Sequence, residues 1–330
     1  MILILSKNNE TSTNLVIKWI CFLDPSVKIV RLNSDDDDLK DIFISEENII
    51  LSTSGNKLVN LKEVSSIWYR RGFISKFVKF NDLSFIKNRQ FKEALFDYLS
   101  IENNYLFKTI YNFYKRKTHI NKISDSYISK VEMLKIAKEV GLKIPSYIIT
   151  TRKSDLHNFI MIHKHVITKP IKTVFRSFSS MYSLRLFTTK IDINQLANLP
   201  NTFFPSFFQK LIKKKYEIRI VFLHKQFFSM ALFSQLDEQT ALDFRNYDIH
   251  KNGRWVPYKL DESIKIKLRK LMELLDLNSG SIDIIVDKND DFYFLEVNPV
   301  GQFGMVSITC NYFLEKKIAK ILINNERAKY

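Results

Sequence analysis

The sequence predicts an α/β protein, and two observations carry the prediction. The first is a strand–helix–strand opening: the apolar run Met1–Leu5, helical spacing at Leu15, Val16, Trp19 and Ile20 within Thr11–Phe22, and a second apolar run, Val27–Leu32. The second is a hairpin near the C-terminus, with strands Ile282–Asp287 and Phe292–Asn298 around the turn Lys288-Asn289-Asp290-Asp291. With 330 residues, and roughly 100–200 residues per domain, the chain holds two or three domains. Its 45% hydrophobic and 26% charged residues exclude a collagen or a wholly disordered chain. Lys and Arg number 51 against 35 Asp and Glu, a formal charge of +16 that calls for an anionic partner. The two cysteines, Cys21 and Cys310, make neither a disulfide framework nor a zinc site, which fits a reducing compartment. No apolar stretch is long enough to span a membrane.

The elements follow in order. The N-terminal run has no basic segment before it and no small-residue cleavage site after it, so it reads as a buried strand. The acidic run Asp35–Asp38 reads as a solvated loop, and Val64–Tyr69 is a strand ending in Trp68-Tyr69-Arg70-Arg71-Gly72. Ser84–Ile101 is an amphipathic helix with Phe85, Phe91, Leu95, Phe96 and Leu99 on or near one face. The stretch Ile110–Lys122 interleaves aromatic and basic residues, as a helix and basic linker or as a nucleic-acid contact. Ser129-Lys130-Val131-Glu132 fits a capping box; Gly141 and Pro145 then close a helix striped by Met133, Leu134, Ala137 and Val140. Strands follow at Tyr147–Thr151, Val166–Pro170, Leu184–Thr188 and Phe207–Leu211. After a basic turn, Lys213–Lys215, Glu217–Leu223 and Gln226–Phe233 form a hairpin at His224-Lys225, and Ile264–Leu275 is a helix.

The C-terminal hairpin carries the chemistry. A four-residue loop pairs Asp287 with Phe292, and that register sets Asp283 opposite Glu296. Asn298, two positions on, shares the face of Glu296. Two facing carboxylates repel, and a hard divalent cation resolves the conflict; unrelated acids on an exposed strand face are the other reading.

Glu296-Val297-Asn298-Pro299, with Asp283 across the hairpin, resembles the magnesium site of ATP-grasp ligases. The match extends in order along residues 120–310. Ser129-Lys130 and Lys169-Pro170 are similar to the two phosphate lysines of that family. Gln209-Lys210-Leu211-Ile212 with Glu217 resembles its adenine and ribose segment. Arg219, in Glu217-Ile218-Arg219, resembles the arginine that faces the transferred phosphoryl group, and Arg245 a later phosphate arginine. The resemblance implies an ATP-grasp fold of α+β lobes: an N-terminal pre-ATP-grasp domain over 1–120, a central lobe over 121–200 and a C-terminal lobe over 201–330. One departure stands out. No glycine lies between Gly141 and Gly253, so Ser177-Phe178-Ser179-Ser180 replaces the usual glycine-rich phosphate loop.

Trp68-Tyr69-Arg70-Arg71 and the segment from Glu296 to Gly304 are similar to the graspetide, or microviridin-type, peptide maturases, especially the grasp-with-spasm group. That resemblance implies ATP and Mg²⁺, or Mn²⁺, as cofactors. It implies an acidic ribosomal precursor peptide with a leader as partner, and the cytoplasm as location. A homodimer is left open. Asp283, Glu296 and Asn298 would hold the metal; Lys130, Lys169 and Arg245 the phosphates; Gln209, Ile212 and Glu217 the nucleoside. Arg70 and Arg71 would meet the peptide's acidic side chain or form a structural ion pair. The rival readings are another ATP-grasp carboxylate–amine ligase, such as a glutamate ligase, a catalytically dead homologue, and a basic nucleic-acid-binding module.

Overall fold

The computed structural model of the chain describes all residues except 36–38, 73–85, 116, 172–175, 179–182, 186–187, 234–253 and 328–330. The chain divides into two compact units, Met1–Ser126 with Phe313–Tyr330, and Tyr127–Tyr312.

In the first unit β1 (Ile2–Ser6), α1 (Thr11–Leu23) and β2 (Ile29–Asn33) form the expected opening, with β1 and β2 parallel. β3 (Leu39–Ile44), β4 (Ile49–Thr53) and β5 (Leu58–Asn60) make a small antiparallel meander absent from the sequence reading. Its strands are short, and apolar residues such as Phe43 and Leu58 stay exposed beside buried ones, so it leaves little periodic signal. β6 (Ser66–Tyr69) returns beside β1. α2 (Arg89–Lys115) then leads to β7 (Thr118–Ile120), closing a four-stranded parallel sheet of order β2-β1-β6-β7.

α2 departs from expectation. It absorbs the basic aromatic stretch at Tyr111, and its buried apolar residues are Phe107 and Ile110. Phe91 and Phe96, which the sequence sets on or near one amphipathic face, are 60% and 50% exposed. Ser84 and Phe85 lie outside the described residues.

The second unit holds two sheets. α3 (Lys130–Glu139) starts at the N-cap Ser129, whose Oγ accepts from Val131 N rather than from the third residue as a capping box requires. Gly141, at φ 80°, ends it, with Leu142 N bonded to Ala137 O. β8 (Tyr147–Arg152), α4 (Lys153–His163), β9 (Val166–Lys169), the pair β10 (Arg176–Phe178) and β11 (Ser183–Arg185), β12 (Thr189–Ile191), α5 (Ile193–Ala197) and β13 (Thr202–Lys210) follow. The first sheet has the order β12-β9-β13-β8. β14 (Lys214–Leu223) and β15 (Gln226–Phe233) form the expected hairpin at His224-Lys225, both residues at positive φ. β16 (Arg254–Tyr258), α6 (Glu262–Leu274), β17 (Ser279–Asp287) and β18 (Phe292–Asn298) complete a five-stranded antiparallel sheet, β16-β15-β14-β17-β18, and α7 (Gly304–Thr309) packs on it. One apolar cluster joins α3 and α6 to the inner face of this sheet through Met133, Leu134, Leu268, Ile218, Ile220, Ile282 and Phe294, and includes Phe207 of β13.

The last helix, α8 (Leu314–Arg327), does not stay with the lobe that precedes it. It packs on α1, β1 and β6, and Ser66 Oγ donates to its Leu322 carbonyl at 2.8 Å. The 201–330 boundary therefore runs past the end of the second unit.

Candidate active site

Alternation along the five-stranded sheet builds the site. On β14, Ile218 and Ile220 enter the core, which turns Glu217 and Arg219 to the other face. Arg219 pairs in register with Asp283 of β17, and Asp283 with Glu296 of β18. The expected Asp283–Glu296 pairing is therefore present, but its route differs. The loop is five residues long at the ladder, because Val286, not Asp287, faces Phe292. A bulge at Leu295 then restores the register between Ile284↔Phe294 and Asp283↔Glu296. It also lets Phe294 enter the core while Glu296, two residues on, faces the site. Asp287 instead organises the turn, its Oδ1 accepting from Asn289 N at 2.8 Å and Asp291 N at 3.0 Å.

Charge is matched pair by pair across this face. Arg219 grips Asp283 with two hydrogen bonds, Nε to Oδ1 at 2.9 Å and Nη2 to Oδ2 at 3.0 Å. Lys130, the first residue of α3, lies 3.0 Å from Glu296 Oε2 and donates to the Pro170 carbonyl at 3.2 Å. A lysine there opposes the helix dipole, and Glu296 supplies the compensating charge. Asn298 Nδ2 donates to Glu296 Oε1 at 3.3 Å. Just beyond, Gly301 N donates to Asn298 O at 2.9 Å. A Cβ on Gly301 would stand 2.3 Å from Ser281 Cβ, so this turn requires glycine.

Sequence reasoning missed Lys214. A second bulge, between Lys214 and Tyr216, turns it to the face of Glu217, and its Nζ bonds Glu217 Oε1. The only sequence signal was the lysine triplet before Glu217. Burial pushes the Glu217 carboxyl above the usual range, and Lys214 pulls in the opposite direction.

On the first sheet, Phe207 and Gln209 share a face of β13. Lys169 pairs with Phe207 in register and places its Nζ 5.5 Å from that ring's centroid. Gln209 is buried, and its Nε2 has no hydrogen-bond partner, an unsatisfied donor in the interior. Ile212 is buried just past the strand. The structure thus groups Lys130, Arg219, Asp283, Glu296, Asn298 and Glu217 on or beside one sheet, and Lys169 and Gln209 on β9 and β13. Arg245 lies outside the described residues, as do Ser179 and Ser180.

Arg70 and Arg71 belong to the first unit. Arg70 is buried, donating to Ser12 Oγ at 3.1 Å and Glu10 Oε1 at 3.2 Å; Arg71 Nη1 is 3.9 Å from Glu10 Oε2. For Arg70 this is the geometry of the structural ion pair, since a buried guanidinium presents no surface to a peptide.

The whole chain matches known structures. An RiPP-associated ATP-grasp ligase from Chryseobacterium gregarium, solved with ADP and a leader and core peptide, has 26% identity and TM-score 0.80 over 100% of this chain and 97% of its own. The macrocyclase MdnC from Microcystis aeruginosa, solved with its precursor peptide, has 28% identity and TM-score 0.76 over 98% and 99%. This chain has the fold of an ATP-dependent ATP-grasp ligase and is similar to the graspetide-type maturases. A D-alanyl-alanine synthetase from Vibrio cholerae shares the fold at 10% identity and TM-score 0.60, over 99% and 97%. No protein-family model matches the chain, and no curated protein matches it by sequence.

The ligase's residues fit Mg²⁺ and a nucleotide. Among the described residues, no three of His, Cys, Asp and Glu form a metal-holding group. The set here is two carboxylates and an amide, hard oxygen donors of the kind that leaves room for phosphate oxygens. Each carboxylate is already neutralised by a cation suited to phosphate. The unsatisfied Nε2 of Gln209 suits an acceptor atom of a purine.

Proposed function

We propose that this ligase crosslinks a ribosomally made precursor peptide, activating Asp or Glu side chains as acyl phosphates and joining them to Ser or Thr hydroxyls or Lys amines. The full-length likeness to two peptide-maturing ligases supports the substrate class. The observation that carries the chemistry is the pairing of Arg219 with Asp283 and Lys130 with Glu296 on one face.

Bound ATP and Mg²⁺ supply the γ-phosphoryl group and neutralise its charge. Asp283, Glu296 and Asn298 would hold the cation. Arg219 and Lys130, now paired with Asp283 and Glu296, would turn to phosphate oxygens once the nucleotide is bound, keeping charge balanced. Lys169 would extend this cationic grip, and the resemblance alone adds Arg245 to it. Arg219 lies two residues from Glu217 on β14 and opposite Asp283, and its planar fork suits the charge shared between phosphoryl and acyl oxygens. Gln209, Ile212 and Glu217 would seat adenine and ribose. Arg71 is the remaining arginine for an acidic peptide side chain. The cytoplasm, where precursor and ATP meet, is the proposed compartment; no helix among the described residues is long and apolar enough to cross a membrane.

Mass spectrometry of short acidic candidate precursor peptides, incubated with ligase, ATP and Mg²⁺, tests the reading. Loss of one water per link supports it. A mass gain from added glutamate, or an unchanged mass alongside ADP release, would overturn it.

A further inference from the structure

We propose that Lys214 is a positioning residue that holds Glu217 charged and aimed for the ribose hydroxyls, and so sets the preference for a ribonucleotide. The inference rests on the reading of Glu217 as the ribose residue.

Three features carry it. First, Lys213, Lys214 and Lys215 are adjacent, yet the structure treats them differently. Lys215 points outward to Asp290 at 2.7 Å, half-exposed, whereas the Lys214 side chain is only 6% exposed and is bonded to Glu217, itself 12% exposed. Lysine is rarely buried unless paired. Second, the pairing needs an irregularity. Residues 214 and 217 fall on opposite faces of a regular strand; the bulge at Lys215 brings them to one face. Third, Glu217 is difficult to keep charged here. Burial disfavours its carboxylate, and Asp283 adds a like charge on the same face. Arg219 lies next to it, but both of the nitrogens it turns toward Asp283 are engaged there. Lys214 is the cation whose hydrogen bond goes to Glu217. A charged carboxylate accepts from hydroxyls about twice as strongly as a neutral group. Removing Lys214 therefore weakens the grip on ribose without touching a phosphate lysine.

The test compares the affinity of the full chain for ATP, 2′-deoxyATP and 3′-deoxyATP by isothermal titration calorimetry with Mg²⁺. The wild type is expected to prefer ATP by about tenfold over at least one deoxy form. Lys214→Met brings that ratio close to one, and Lys214→Arg restores most of it. Glu217→Gln separates the two layers of the proposal. If Glu217→Gln loses the preference and Lys214→Met keeps it, the role of Lys214 is wrong and the ribose reading stands. If Glu217→Gln keeps it, the ribose reading fails and this proposal with it. Equal loss of affinity for all three nucleotides in Lys214→Met would also overturn it, since that marks a general structural role. If Lys214→Met does not fold, Lys214→Gln carries the same comparison.

Discussion

Arg70 illustrates how a residue that looks functional in a sequence can be explained by its surroundings. Burial lowers its pKa to about 10, and Glu10 opposes that shift. For Glu10 the partners outweigh burial: burial alone would raise its carboxyl, but Arg70, Ser12 and Arg71 together hold it below the usual carboxylate range. A depressed acid contributes stability that is present above its ordinary pKa and is lost as pH falls through the depressed value. Glu10→Gln should therefore destabilise the first unit by about 3 kcal/mol at neutral pH, because it strands a buried guanidinium. Chemical denaturation checks this, and its pH dependence in the acid range should flatten in the variant. The paired change Glu10→Leu with Arg70→Leu should cost less than Glu10→Gln alone. Gly301 gives a second prediction. Gly301→Ala forces Ser281 and the Asn298 carbonyl apart, so the Mg²⁺ concentration for half-maximal ADP formation should rise several-fold. Adding Ser281→Gly should recover part of it, since it removes the clashing Cβ but leaves the Asn298 carbonyl 2.9 Å away.

At the scale of elements, two bulges decide what the strands present. The hydropathy of β18 carries the clue in its phase: Phe292 and Phe294 pack at the core while Glu296 and Asn298, of the same parity, face the site. A strict period of two cannot satisfy both, and a one-residue bulge can. The sequence reading reached the Asp283–Glu296 pair with a shorter loop and no bulge; the two offsets cancel. Deleting Leu295 should leave Phe294 in the core and Glu296 on the site face, because their partners Ile284 and Asp283 are consecutive, so nucleotide binding measured by calorimetry should survive the loss of the bulge. Leu295→Ala, which keeps the count, should leave binding within a few-fold of wild type. The lysine beside Glu217 stayed hidden for a similar reason, since the bulge that turns Lys214 inward has no sequence signature. The helix signals were the most legible: Ser129, Gly141 and the stripe between them delimit α3 to within a residue. Which part of α2 is buried was not, because amphipathic spacing states which residues share a face, not what covers it.

Across the whole molecule, the order of the motif residues was readable because Lys130 starts a helix, Lys169 ends a strand, and Glu217, Arg219, Asp283 and Glu296 interrupt otherwise apolar strands. The placement of α8 was not, since its return to the first unit depends on tertiary packing alone. The formal charge of +16 takes on a definite meaning with an acidic peptide and ATP as partners. Peptide binding should weaken several-fold between about 0.05 and 0.3 M salt, as screening shortens the reach of the field; fluorescence anisotropy of a labelled precursor checks this. The central claim is that a peptide carboxylate is phosphorylated before the link forms. Heavy-oxygen labelling of the precursor's Asp and Glu carboxylates tests it most directly. If the carboxylate is activated as an acyl phosphate, each link releases one phosphate carrying one labelled oxygen. Links formed with unlabelled phosphate would contradict the account.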